Sequence, residues 1–330
     1  MKRCSLNNTT ANRTPHPWRG YFYIAIAALC WGISANLGKA MFSGYSILGL
    51  PPIEPPLDVK ILSQGRVTIA FLVLAFLLLL TRGAKSFAMN RSDALRCMAL
   101  GVLGVAGANF FYYYAISVTS VSIAIIVQYT APVWVLLYMV FRGHERATLP
   151  RVVGVGAAVL GIVLVIGISR ESGLQLAWKG VGASLLAAFS FSFYTVYGRR
   201  LLSRHDRWQV IVYTLLGTSL FWIVVNPPWK IVAAHYSREQ WVFLSIFAFT
   251  SMLVPFSFYY AGLRHLDPTR TIVTSCLEPV FTILIAAMFL QEHLGWLQIL
   301  GIVLVLVATV VVQAPQAAAV TENIEQTAES

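Results

Sequence analysis

Residues 97–141 read CMALGVLGVAGANFFYYYAISVTSVSIAIIVQYTAPVWVLLYMVF, without one Lys, Arg, Asp or Glu. A helix needs about 20 apolar residues to cross the ~30 Å hydrocarbon core of a bilayer. The run is too long for one crossing and right for two, with a turn near Ser117–Ser120. Similar uncharged runs occur at Gly20–Gly38, Val152–Ser169, Trp208–Trp229 and Gln240–Leu263. A membrane β-barrel would need alternating segments of about ten residues. Phe71–Leu80, FLVLAFLLLL, does not alternate, so the chain reads as an all-helical integral membrane protein.

Composition agrees. The chain is 58% hydrophobic and 11% charged, against about 25% charged in a soluble domain. Too few charges are present to cover a water-exposed surface. The net charge of +11 would suggest nucleic acid on a soluble protein. Here the cations sit between apolar runs, where they bias membrane orientation, and nucleic acid is not an expected partner.

Ten spans are expected, near 20–42, 60–81, 96–117, 120–141, 151–169, 179–200, 208–226, 241–263, 269–290 and 294–313. Residues 1–18 and 314–330 are polar tails. The first apolar run lacks an A-x-A cleavage site and reads as a retained helix. With the N-terminus in the cytoplasm, the inner segments carry seventeen cations, from Lys2 to Arg270. The outer loops carry five: Lys60, Arg170, Lys179, Lys230 and Arg238. That bias supports cytoplasmic termini, since one missed helix would reverse every later loop. The loop from Ser43 to Asp58 holds Pro51, Pro52, Pro55 and Pro56, which favour an extended path outside. A tolerated insertion and a rim over a pathway both fit it.

The two halves repeat. Pro132 to Glu145 and Pro279 to Glu292 are both 13 positions, and Glu145 to Gly154 and Glu292 to Gly301 are both 9. Tyr113-Tyr114-Ala115 precedes the first set and Tyr259-Tyr260-Ala261 the second. Five helices per repeat is an odd number, so the second copy enters the membrane from the opposite side. Inverted repeats around a midplane site are a recurring plan of secondary transporters. The expected organisation is a first five-helix repeat over 20–169 and a second over 179–313.

The stretch Phe256–Glu292, FSFYYAGLRHLDPTRTIVTSCLEPVFTILIAAMFLQE, resembles the second repeat of the drug/metabolite transporter superfamily, EamA-like group. Gln128–Glu145, QYTAPVWVLLYMVFRGHE, resembles its first-repeat counterpart. Arg66 also matches a common position of that family. The resemblance covers residues 20–313. It implies ten helices, cytoplasmic termini, export or exchange of amino acids, metabolites or drugs, and a central path lined by helices one, three, four, six, eight and nine. The first repeat departs from the pattern by carrying Ala131 where the second carries Glu278.

Glu278 is the most informative residue. A carboxylate deep in a span is costly and should face the bundle interior. It could take up a proton, bind a substrate cation, or tie neighbouring helices together. Thr271, Thr274, Ser275, Glu278 and Thr282 share a face of the ninth helix, which could line a cavity or a helix seam. Gln128 and Tyr129 occupy the matching region of the fourth helix. Asn109, Tyr112 and Tyr113 share a face of the third helix, Ser190, Tyr194 and Tyr197 one of the sixth, and Trp31 and Asn36 lie on the first. Aromatics with polar tips suit a small-molecule pocket, and packing is the competing role. Pro132 and Pro279 can loosen their helices, and both are candidate gating positions. Arg66 could anchor the second helix by snorkelling to the outer interface or bind a substrate anion. Gly101, Gly104, Gly107 and Gly154 are expected at close helix contacts.

Catalytic patterns are missing: the sequence holds no HExxH, GxSxG, GxGxxG or Walker A motif. Cys4, Cys30, Cys97 and Cys276 form no CxxC or Cys/His ligand set. No cofactor or metal is expected, and a gradient rather than ATP would drive transport. The expected function is secondary transport of a small metabolite by alternating access, as exporter or exchanger. A membrane receptor or scaffold, and an intramembrane enzyme, are the alternatives. The lipid bilayer and a small-molecule substrate are expected partners, and protons and a second copy of the chain in a homodimer are candidates. The compact ten-helix plan suits a bacterial inner membrane.

Overall fold

A computed structural model of the protein describes residues 16–43, 58–118, 124, 127–166, 178–290 and 295–312. The proline-rich segment after Ser43, both tails and Glu292 lie outside these residues. All regular structure among them is helical, as a bilayer demands, because only internal hydrogen bonds can satisfy backbone groups there. The elements are α1 (Pro17–Ser43), α2 (Val59–Arg82), α3 (Arg91–Ala99), α4 (Gly107–Val118), α5 (Ala131–Phe141), α6 (Leu149–Ile166) and α7 (Trp178–Leu202). They continue as α8 (Arg207–Val225), α9 (Pro228–Ala233), α10 (Arg238–Ala248), α11 (Val254–Leu263), α12 (Pro268–Ser275), α13 (Leu277–Leu290) and α14 (Trp296–Val311). Six continuous helical stretches are long and apolar enough to cross a membrane, and shorter apolar helices stand beside them.

The termini of these helices are written in the sequence. Asp58, Asn90, Asp206 and Asp267 each accept from backbone N–H groups of the helix that follows. Ser237 and Gln240 form a reciprocal capping box at the start of α10. Such side chains satisfy donors that a helix start leaves free. Two spans carry π-helical turns, Leu100–Ala106 between α3 and α4 and Phe249–Leu253 between α10 and α11. Shifted by the 147 positions that separate Pro132 from Pro279, the second π segment falls within the first. The duplication is therefore visible in backbone irregularities as well as in sequence.

The repeats interlock. Helix α1 of the first repeat packs on α11, α12 and α13 of the second. Its counterpart α7 packs on α4, α5 and the Leu100–Ala106 turns of the first. The remaining pairs cross between equivalent helices, α2 with α8 and α6 with α14. Small residues permit the closest of these crossings. A Cβ on Gly217 would run into the Met98 backbone, and one on Gly101 into the Thr214 backbone. Gly104, Gly107 and Gly154 likewise face Tyr194, Ser190 and Ala308, the close contacts expected of them.

Leu72, Phe76, Leu79 and Leu80 point out of the bundle. In water such a stripe would be a liability, and against lipid it is the required surface. One end of the bundle gathers the basic loops. His16 meets His265, Arg82 meets Asp206, His205 meets Asp93 and Arg151 meets Asp267. At the other end the Asp58 backbone N–H donates to the Tyr236 hydroxyl oxygen at 2.9 Å, and Asn226 donates to Gln64 at 2.7 Å.

Candidate functional site

The ninth span is not one helix. It breaks at Cys276, whose N–H bonds the Val273 carbonyl at 3.1 Å, three residues back, before α13 starts afresh at Leu277. The fourth span does the same. Tyr129 and Thr130 form a turn, and Thr130 N–H bonds the Val127 carbonyl at 3.1 Å before α5 begins. Pro132 and Pro279 follow their breaks by two or three residues. Each lacks the N–H that would have bonded the carbonyl of Gln128 or Ser275. Broken helices facing each other near mid-span are tolerated where the irregular backbone lies within protein or beside a cavity.

Glu278 lies in the first turn of α13. The free N–H groups and positive dipole end of a helix start favour a carboxylate there. It is half-buried, and Tyr129 from the opposite break brings its hydroxyl within reach of the Glu278 carboxyl. Above this pair lies an aromatic layer. Trp31 of α1 packs on Tyr259 and Phe256 of α11, with ring centres 5.5 and 5.8 Å apart. Tyr194 of α7 stacks with Phe191 at 5.3 Å and meets Tyr259 at 5.1 Å. The Tyr259 hydroxyl is held by Thr195 at 2.8 Å, whereas the buried Tyr194 hydroxyl has no hydrogen-bond partner among the described residues. Four elements from both repeats thus bring Trp31, Tyr129, Tyr194 and Glu278 together.

Other expected site residues fall elsewhere. Thr274 and Ser275 are buried, and their hydroxyls bond carbonyls of their own helix, at Arg270 and Ile272, both at 2.7 Å. In this conformation both hydroxyls are turned to their own helix, as the helix-seam alternative requires. Asn36 donates to the Gly32 and Thr282 carbonyls, both at 2.9 Å, and so ties α1 to α13. Gln128 is half-buried just before the first break. Tyr113 lies in α4, and its side chain is outside the described part of the structure.

Arg66 does not snorkel to the interface. It is 9% exposed, points into the bundle, and donates to the Asn109 side-chain oxygen at 2.6 Å. Its guanidinium lies 6.0 Å from the centre of the Phe247 ring.

A cluster that the sequence did not single out lies at the basic end. Arg151, at the start of α6, bonds Glu145 at 2.6 Å and Asp267 at 3.1 Å. Arg270 approaches Asp267 at 3.3 Å. The Arg151 and Glu145 side chains are almost wholly buried. Burial pushes the Glu145 carboxyl above its ordinary range, and the negative charge of Asp267 adds to the effect against the opposing pull of Arg151. The cluster joins the first repeat (Glu145, Arg151) to the second (Asp267, Arg270). By sequence, the positions 147 residues beyond Glu145 and Arg151 are Glu292 and Gln298, and those 147 before Asp267 and Arg270 are Ser120 and Ile123. The cations and the second acid have no counterparts at the other end. The missed signal was the scarcity of acids in the basic loops: Asp93, Glu145, Asp206 and Asp267 are each paired with a cation.

The EamA-like transporter family model matches residues 18–167 and again 178–313. This chain belongs to the EamA-like transporter family. As a member it is a multi-pass membrane transporter and not an enzyme, and its duplicated repeats are the two EamA units. An uncharacterized inner membrane transporter of Salmonella typhimurium, YicL, is 20% identical over 298 residues, covering 89% of this chain and 95% of that one. An uncharacterized transporter of Bacillus subtilis, YxxF, is 28% identical over 73% of this chain and 76% of its own. The threonine/homoserine exporter RhtA of Salmonella typhimurium is 26% identical over 63% of this chain and 67% of its own. A solved crystal structure superposes with a TM-score of 0.71 at 18% identity, covering 89% of this chain and 96% of that one, and supports the EamA-like fold alone.

Proposed function

We propose that this EamA-family member is a secondary transporter that exports or exchanges a small polar metabolite by alternating access between its two repeats. The observation that carries the reading is the pair of broken helices, one per repeat, meeting at Tyr129 and Glu278 beneath an aromatic layer. Discontinuous helices place unmet carbonyls and a helix start against a substrate. The interlocked α1 and α7 let each repeat carry one wall of the path contributed by the other.

In this reading the buried Arg151–Glu145–Asp267 cluster is the closed gate of the basic end, and that end faces the cytoplasm, with both termini, in a bacterial inner membrane. The repeats extend over 20–169 and 179–313. Glu278 takes up a proton or a substrate cation, and Trp31, Tyr129 and Tyr194 shape the space around it. Similarity to a threonine/homoserine exporter makes small neutral amino acids the first substrates to try. Purified protein in proteoliposomes should carry labelled threonine or a related amino acid with saturable kinetics. Flux that rises linearly without saturation, or equal leak in protein-free vesicles across a broad metabolite panel, would remove the proposal.

A further inference from the structure

Arg66 is the eighth residue of α2, about 10 Å along the helix from its start. Its side chain is more than nine-tenths buried and turned inward to α4. Among the described residues no carboxylate pairs with it. Among those residues its one hydrogen-bond partner is the neutral Asn109 oxygen, and its buried Nε has no acceptor. The Asn109 amide nitrogen is already committed to the Val105 carbonyl at 2.7 Å, which fixes the oxygen toward the guanidinium. Two buried hydroxyls of the same helix, Ser63 and Thr68, are also without partners among the described residues. Gln64, by contrast, is satisfied by Asn226. A cation inside a span is expensive without an anion, and an unmet buried donor adds to the cost.

We infer that Arg66 and Asn109 form a binding site for the carboxylate of the transported substrate. A guanidinium fork matches a carboxylate in two parallel bonds, and Nε with one terminal nitrogen is a usual edge for it. Lipid phosphate is a poor candidate, because the side chain points away from the lipid face toward α4. The position suits a substrate site. Along α4, Gly104 touches Tyr194 and Gly107 touches Ser190, so Asn109 lies about 7.5 Å of helix rise beyond the aromatic layer. Glu278 lies close enough to Tyr194 for its charge to be felt there. Through α4 and Tyr194, one cation and one acid are thus linked to the same aromatic cluster, an arrangement suited to a zwitterion. The inference rests on the transporter reading and adds the substrate's anionic group to it.

Thermal stabilisation of the detergent-purified protein by each of the twenty L-amino acids, by their carboxamides and by inorganic phosphate tests the site without requiring transport. At least one amino acid should stabilise the wild type, and its carboxamide and phosphate should not. Arg66→Gln should weaken that ligand at least tenfold, and Arg66→Lys should weaken it less. Asn109→Asp supplies an internal counter-anion. It should raise the melting temperature while weakening the ligand at least tenfold, an outcome that a purely structural arginine does not produce. It also keeps the test informative if Arg66→Gln fails to fold. Equal binding of the carboxamide, stabilisation by phosphate alone, or undiminished binding in Asn109→Asp would overturn the site. Failure of every carboxylate to bind would overturn it too. Saturable flux of a cationic or neutral solute would still sustain the transporter reading.

Discussion

Arg151→Ala should shift the protein from the conformation described here toward one open at the basic end. The arginine is buried and bridges acids of both repeats, at 2.6 Å to Glu145 and 3.1 Å to Asp267. Its removal leaves two carboxylates facing each other, one of them buried, with only Arg270 beside Asp267. Breaking a buried pair by deleting one partner costs about 3–5 kcal/mol. If the contacts exist only when this end is closed, that cost falls on the closed state alone. The closed-to-open ratio should then drop by roughly 10²- to 4 × 10³-fold, at about 1.4 kcal/mol per tenfold. Spin labels at the exposed loop residues Arg142 and Arg264, in the two repeats, read the change by pulsed electron resonance in nanodiscs. The wild type should give a population at the short distance, and the variant should gain a longer one. A lower melting temperature with an unchanged distance distribution would refute the gate and leave the cluster as a structural brace.

Acidity should act on the same gate in the opposite sense. The Glu145 carboxyl is raised above 4.5 in the closed state, chiefly by burial and then by Asp267. A state that exposes it returns it toward 4.5, so the closed state binds the proton more tightly and mild acidification should favour the short distance. Glu145→Gln should make that distance independent of pH. Gly217→Ala would drive a Cβ into the Met98 backbone and should destabilise the α3–α8 crossing by about 1–3 kcal/mol, seen as a lower melting temperature in detergent. Asn36→Ala removes the bond from α1 to the Thr282 carbonyl of α13, along with one to Gly32 of its own helix, and should cost about 0.5–1.5 kcal/mol per bond. Substrate affinity should be little changed, which a flux titration checks.

The spans were legible because a bilayer leaves the chain little choice. The absence of charge over 97–141, the alternation of basic loops and the recurrence of Pro132–Glu145 at Pro279–Glu292 each point to the same architecture. The break at Cys276 was not legible from Ser275, Cys276 and Leu277, which are ordinary span residues. Pro279 was its only signal, and a proline can also bend a helix without ending it. The short α9 begins at Pro228, just past a span end, where the missing N–H costs nothing. Glu278, Tyr129, Tyr194 and Trp31 came together as their faces suggested. The Thr274 and Ser275 hydroxyls turn instead to their own helix, because a hydroxyl three or four residues from a carbonyl can satisfy itself there. The ion-pair cluster was hidden because Arg151 and Asp267 are 116 positions apart, and positive-inside bias accounts for such an arginine without any partner. Arg66 was visible as a charge in a span, but only its contact with Asn109 gave its direction.

The most direct measurement is exchange in proteoliposomes. Labelled threonine, or whichever amino acid the panel identifies, is taken up with and without the unlabelled compound inside, at several pH gradients, by wild type and Glu278→Gln. Alternating access predicts saturable uptake that is faster with substrate on the far side, and proton coupling at Glu278 predicts that the variant loses its response to the gradient. Uptake that neither saturates nor responds to substrate on the far side would contradict alternating access between the repeats.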